Sequence, residues 1–379
     1  MSWDEVPLLS VCEVSTGKYD ANHGVVNGSY QFYTCAEKPI RSNTYSFEGS
    51  SIILPGNGAN VGLVLYFDGK FEAYQRTYVL NNFRRDVDSK YVYHHLNRYW
   101  KLRNEKAQYG SATNYIRMQN FKDYTIPLPP LDEQKRIAAI LDKADAIRQK
   151  RKQAIDLADE FLRSVFLDMF GDPVTNPKGW DKKQLKSLLS SIDSGKSPKC
   201  DGLPANVGEW GVLKLSAVTS GQYLAQENKA MLSKSDVDER FEVVAGDVLF
   251  TRKNTRDLVA AVAYVFETEP RKLMPDLIFR LNIKDKCELE PLYLFSLLAN
   301  KSQRSDIQQL AGGAAGSMPN ISKAKLLEVE VPVPPIVLQR RFAEVVSKTR
   351  KIHQQNTESQ SNSFLFFNSL SQKAFSGQL

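Results

Sequence analysis

The chain has 379 residues, 42% hydrophobic and 25% charged, with a formal charge of +7; this is the make-up of a globular protein of two or three domains and excludes a disordered or fibrous chain. The positive excess is thin, 14 basic against 12 acidic residues over 1–130 and 6 against 2 over 336–379, so net charge alone does not specify a nucleic-acid partner. Cys12, Cys35, Cys200 and Cys287 are isolated and His23, His94, His95 and His353 are the only histidines, which excludes a zinc-finger spacing, a disulfide framework and most histidine chemistry.

The opening residues, Met1-Ser2-Trp3-Asp4-Glu5, lack the basic and apolar stretches of a signal peptide, and no run is long enough to span a bilayer. A cytoplasmic location with reduced cysteines and no membrane contact is the expectation. Up to about residue 125, short β-rich runs alternate with turn residues, and Ser51–Leu54 and Gly62–Phe67 predict strands. The glycine-rich Gly56–Gly62 has no helix after it and predicts a turn or bulge, not a phosphate cradle. Tyr74, Gln75 and Arg76 bring groups that read base edges, Arg to guanine and Gln to adenine, and Lys18 beside Gly17 suits a phosphate. The competing reading is solvated surface, which accounts for most single basic loops. A helix is predicted over Tyr91–Leu102; in it His94 and His95 point to different faces and read as surface polar residues, not a ligand pair. Gly110-Ser111-Ala112-Thr113 closes this body in small residues, suited to a connection or to backbone close to a phosphate.

After Pro129-Pro130 the composition becomes helix-forming. Asp132 and Glu133 supply acids for a helix N-terminus, and Ile137, Leu141, Ala144, Ile155, Ala158, Leu162 and Val165 recur at three- and four-residue steps. Gly171-Asp172-Pro173 ends the helix. At about 1.5 Å per residue it is a rod of roughly 58 Å that needs a partner.

A second body comes next, with strands predicted around Gly246–Phe250 and helix over Pro291–Gln309. Its candidate contacts are Lys196, Ser197 and Lys199 for phosphates, Arg252, Lys253, Asn254 and Arg256 for bases, and the small residues Gly313 and Ser317. The two bodies are similar in sequence only at Trp3-Asp4 and Trp180-Asp181 and at Thr16-Gly17-Lys18 and Ser194-Gly195-Lys196. The segments at their C-terminal ends repeat far better: Ile116–Phe170 lies on Ile321–Phe375 at a constant offset of 205. Ile126 through Leu131 faces Val331 through Ile336, Gln134-Lys135-Arg136 faces Gln339-Arg340-Arg341, and Phe161 and Phe170 fall on Phe366 and Phe375. The second long helix is thereby placed after Pro335, with Phe342, Val346, Phe366, Phe367 and Leu370 joining Ile137, Leu141, Ile155, Phe161 and Leu162 in helix pairing and partner docking. Antiparallel pairing is preferred because each helix comes after a large body. Its centre, from His353 to Ser363, is polar.

No nucleotide fingerprint, Walker loop or Asn/Asp-Pro-Pro-aromatic methyltransferase motif occurs. Pro127-Leu128-Pro129-Pro130-Leu131-Asp132-Glu133-Gln134-Lys135-Arg136-Ile137, the helix after it, and Met169-Phe170-Gly171-Asp172-Pro173 resemble the central region of specificity subunits of type I restriction-modification systems. Pro332-Val333-Pro334-Pro335 and Lys373 through Leu379 resemble that family's terminal region, and Gly246 through Thr255 a stretch of its target recognition domains. The resemblance implies an α+β chain: recognition domains at 1–130 and 172–335, joined and separated by antiparallel helices at 131–171 and 336–379. It also implies a non-catalytic subunit that binds double-stranded DNA, each domain reading half of a bipartite asymmetric site. Two methyltransferase subunits carrying S-adenosylmethionine and restriction subunits using ATP and magnesium are the implied partners; the chain itself holds no cofactor or metal. A stand-alone DNA-binding regulator of the same geometry is the competing reading. A nuclease or methyltransferase would need a motif that is missing, and a coiled-coil scaffold leaves two divergent bodies unexplained.

Overall fold

The computed structural model describes residues 3–104, 114–312 and 318–379, with backbone only for 234 and 352–365. Two compact units emerge, Met1–Ala154 with Asn356–Leu379, and Ile155–Gln355.

In the first unit β1 (Glu5–Pro7) is followed by β2 (Glu13–Thr16), β3 (Tyr30–Tyr33), β4 (Ile40–Ser42), β5 (Ser50–Pro55), β6 (Leu65–Asp68), β7 (Phe71–Ala73) and β8 (Thr77–Asn81). Then come α1 (Ser89–Asn104), α2 (Met118–Lys122), β9 (Thr125–Pro127) and the long α3 (Leu131–Phe170), whose residues from Ile155 on belong to the second unit. One antiparallel sheet has the order β2-β8-β5-β6; a second, β4-β3-β7, contains a parallel pair, β3 with β7. β1 pairs with β9, Val6 opposite Ile126.

The second unit runs β10 (Lys182–Gln184), α4 (Leu185–Leu188), β11 (Leu189–Ser194), β12 (Gly211–Leu213), α5 (Ser216–Thr219), β13 (Asn228–Ala230), β14 (Val248–Thr251), β15 (Val262–Tyr264), β16 (Lys272–Leu273) and β17 (Ile278–Ile283). It continues through α6 (Pro291–Ala299), α7 (Lys301–Gln309), α8 (Lys323–Leu327), β18 (Glu330–Pro332) and α9 (Ile336–Phe375), whose residues from Asn356 on belong to the first unit. Its sheets are β11-β17-β14-β15 and β13-β12-β16, the latter with a parallel pair, β12 with β16, and β10 pairs with β18. Strand for strand this is the topology of the first unit. Bodies with little visible sequence likeness therefore share one fold.

The repeated residues hold the same joints in each unit. Gln134, 1% exposed, accepts from Asp88 N (2.9 Å) and donates to Pro129 O (2.8 Å) and Asp86 O (3.0 Å). Gln339, fully buried, accepts from Glu290 N (2.9 Å) and donates to Pro334 O (2.7 Å) and Glu288 O (3.1 Å). Tyr91 donates to Pro127 O at 2.7 Å and Tyr293 to Pro332 O at 2.9 Å. Each long helix is thus fastened to the body before it by a double proline, which cannot donate and leaves its carbonyls open, and by a glutamine that fills them.

α3 opens with Asp132 and Glu133 in its first turn, where acids complement the helix dipole. It stops at Gly171, whose φ of +79° suits glycine. α9 is helical through its polar centre to Phe375. In the first unit Ile137 and Leu141 share a core with Phe367, Ala374 and Phe375. Going up α3 from Arg136 to Arg148 moves the contact down from Leu379 (2.9 Å to its carbonyl) to Phe367 (5.6 Å to the ring), so the two helices run antiparallel there. In the second unit Phe166 and Phe170 each meet the Phe342 ring at 5.5 Å, and Val346 joins that core.

Several expectations need correction. His94 and His95 are buried, not on the surface, 3% and 1% exposed. α1 is covered on two sides: His94 Nε2 meets Asp142 Oδ1 at 2.8 Å, while His95 lies against Tyr124 and the Phe375 ring, 4.9 Å away. Burial pushes the His95 pKa down to about 3. Phe161 and Phe366 are 51% and 62% exposed and so lie off the pairing face. The next residues, Leu162 and Phe367, turn into the cores instead, a helix advancing about 100° per residue. Ile155 is half-buried and Leu370 packs on the first core. The helix predicted over Pro291–Gln309 is two, broken at Asn300 (ψ 136°), whose side chain caps α7. The strand predicted from Gly62 begins at Leu65, because Gly58 and Gly62 (φ +89° and +102°) hold a turn before it. Among the described residues no helix is long and apolar enough to cross a membrane.

Candidate nucleic-acid interface

In both bodies a buried glycine brings the chain after the first long-sheet strand against the end of the parallel pair. A Cβ on Gly17 would sit 1.7 Å from Ala73 O, and one on Gly195 would sit 1.8 Å from Met274 O. Neither backbone oxygen can move aside, so only glycine fits. The next residues along the chain, Lys18 and Lys196, are exposed beside the turns that connect β7 to β8 and β16 to β17. The loop after β5 reaches the same turn through Gly56 N to Arg76 O (2.9 Å), and the loop after β14 through Arg252 N to Leu277 O (3.0 Å). A fourth segment closes the arrangement, with Ile116 N on Gly56 O (2.9 Å) and Ile321 N on Arg252 O (2.8 Å). Four separate stretches of each body therefore meet at one loop face.

In the first body this gathers Lys18, Tyr74, Gln75 and Arg76. Gln75 N donates to Tyr19 O at 2.9 Å and its Nε2 to Asp20 Oδ2 at 3.2 Å, which orients the amide, while Gln75 and Arg76 are exposed. Tyr74 is half-buried. Asn57 adjoins them, taking a hydrogen bond from Cys35 Sγ at 2.9 Å.

In the second body Lys196, Ser197 and Lys199 are exposed; Ser197 bonds Asp276, and Lys196 lies 3.5 Å from Asp238. Asp238 is already held by Arg240, whose hydrogen bonds keep its carboxyl well below the ordinary range. Arg252 is half-buried, its guanidinium 5.1 Å from the Phe279 ring and its Nε 3.1 Å from Asn320 Oδ1. Lys253 is half-buried and Arg256 exposed. Asn254 is 6% exposed and accepts from Thr255 N at 2.8 Å, so it shapes the loop. In the sheet itself Arg280 of β17 reaches Asp193 on β11 (3.1 Å) and Asp247 just before β14 (3.3 Å). Burial pushes the Asp247 carboxyl up, and Arg280 opposes it. Ser111, Gly313 and Ser317 lie outside the described residues.

Two further residues of this loop face are not marked out by the sequence, Asn320 and Lys323. Lys323 begins α8 with its Nζ 5.7 Å from the centre of the same Phe279 ring that Arg252 covers. Its repeat partner at offset 205 is Met118, the first residue of α2; a cation replacing a methionine at a matched position was the available signal.

The family model described as the type I restriction modification DNA specificity domain matches residues 1–157 and 177–362. The EcoDI specificity subunit of Escherichia coli is 34% identical over 163 residues, 43% of this chain and 36% of that protein. The MjaVIII specificity subunit of Methanocaldococcus jannaschii is 24% identical over 318 residues, 78% of this chain and 71% of that protein. The aligned stretch thus spans about a third of the length of the EcoDI subunit. The crystal structure of a type I restriction-modification S subunit from M. genitalium matches with a TM-score of 0.68 at 17% identity, covering 98% of this chain and 96% of that one. That likeness is one of fold.

Proposed function

The chain belongs to the type I restriction modification DNA specificity family, and from that premise we propose that each body reads one half of a bipartite, asymmetric DNA site, directing adenine-N6 methylation by partner subunits. The observation that carries this reading is the loop face: one strand frame occurs twice and presents different side chains at matching places. A shared frame with changed loop residues is what reading two unlike half-sites requires, since phosphate contacts fix register and groove contacts carry sequence. Lys18, Lys196, Ser197 and Lys199 would hold phosphates; Gln75 and Arg76 in the first body, and Lys253 and Arg256 in the second, would reach base edges.

The two long helices would set the spacing between half-sites and receive two methyltransferase subunits. Phe161 and Phe366, matched in the repeat and each more than half exposed, are aromatic residues open to such docking. S-adenosylmethionine would be bound in those subunits, and ATP and magnesium in restriction subunits. The chain would contribute recognition and assembly, and no reacting group.

DNA binding by the full chain, purified alone and with its methyltransferase, tests this. Tight, sequence-selective binding is expected only with the partner present. Equal selectivity without it would turn the reading to a stand-alone regulator.

A further inference from the structure

The two loop faces differ at three positions that the fold makes equivalent, and at two of them in charge. Gly56 and Arg252 each come after a central strand and make the same pair of backbone hydrogen bonds, to Arg76 and Ile116 in one body and to Leu277 and Ile321 in the other. Tyr78 stands opposite Leu54 in the β5–β8 ladder, as Phe279 stands opposite Phe250 in the β14–β17 ladder. Met118 and Lys323 begin the matching helices α2 and α8. The first body thus has glycine, tyrosine and methionine where the second has arginine, phenylalanine and lysine. The first is also closed to a side chain at this point, since a Cβ on Gly56 would lie 2.3 Å from Arg76 O.

In the second body both cations sit over one ring, Arg252 Cζ at 5.1 Å and Lys323 Nζ at 5.7 Å from the Phe279 centroid. Neither forms an ion pair with a carboxylate among the described residues. Asn320 takes the Arg252 Nε–H at 3.1 Å and fixes the plane of the guanidinium. Its two terminal nitrogens are left without a protein partner among the described residues. Both charges lie within 6 Å of one ring centroid, so an anion arriving at this place is attracted by both. A planar guanidinium pinned at Nε offers a two-pronged face to phosphate oxygens.

We propose that Arg252 and Lys323 form a DNA-phosphate anchor in the second body that the first body lacks. The second half-site is then gripped by more backbone contacts than the first. This rests on the DNA-reading function proposed above and adds to it an asymmetry between the half-sites.

The test uses the full chain with its methyltransferase partner and measures affinity for its methylation site as a function of salt. Each phosphate contact contributes about 0.9 to the slope of log affinity against log salt. Lys323→Ala, at an exposed position, and Arg252→Ala are each expected to lower the slope by about 1 and weaken binding several-fold at low salt. Discrimination against single-base variants of the site should stay unchanged, and Met118→Ala in the first body should leave the slope as it was. An unchanged slope for Lys323→Ala, relaxed discrimination at one base position, or loss of the methyltransferase in place of DNA affinity would each overturn the anchor. In those cases the DNA-reading function stands as long as the wild-type complex still prefers its site. A wild-type complex with no preference would overturn both.

Discussion

Gln134 and Gln339 each join three backbone groups that the double prolines and the preceding helix leave open, and both are buried. Removing such an amide strands a buried N–H and two carbonyls. Gln134→Ala and Gln339→Ala are each expected to destabilise the unit they belong to by about 2–4 kcal/mol, read by denaturant unfolding. Glutamate is the sharper substitution. Its carboxylate can accept from Asp88 N but cannot donate to Pro129 O or Asp86 O, and it would carry a buried charge against two carbonyl oxygens. Gln134→Glu should therefore lose more stability than Gln134→Ala; the reverse order would mean that the donor half of the amide is not what matters. Tyr91 and Tyr293 repeat the same logic, their hydroxyls on Pro127 O and Pro332 O, and burial pushes both phenols up from their ordinary pKa.

At the scale of elements, α3 and α9 were legible because their pattern is local. A double proline, a Gln-basic-basic run and terminal phenylalanines repeat at one offset, and a helix needs nothing inserted within it. The bodies were not legible as copies, since what separates their strands differs in length. Gly17 matches Gly195, Gly56 matches Arg252, Tyr91 matches Tyr293 and Pro127 matches Pro332, so the offset drifts and no gapless alignment survives. The burial of the histidine pair is not legible for a related reason: α1 is covered on two sides by α3 and the end of α9, and neither cover is near in sequence. Phe161 and Phe366 show the limit of counting apolar residues: in each helix the adjacent apolar residue takes the core. If the helices set the distance between half-sites, their length is a quantity to alter. Four residues added to α3 between Ala144 and Ile155, with four added to α9 between Lys351 and Asn356, lengthen each helix by about 6 Å, roughly two base-pair steps of about 3.4 Å. The recognised spacer should grow by about two base pairs; an unchanged spacer would count against this role.

For the whole molecule, the proposed function divides the chain into a repeated part that would supply assembly and a divergent part that would supply specificity. The loop faces were legible only as residue types, Lys after Gly, or Arg and Gln in a turn, because what brings them together is backbone hydrogen bonding between four distant stretches. Lys323 and Asn320 are hidden in the sequence for that reason, and the burial of Asn254 is not written in its neighbours. The central claim, that this chain directs methylation to a two-part sequence, is tested most directly by base-resolution mapping of N6-methyladenine in cells with and without the gene. A single motif of two specified halves at fixed spacing is expected, present with the gene and lost without it. A methylation pattern identical in both, in cells whose methyltransferase subunit is active, would contradict it.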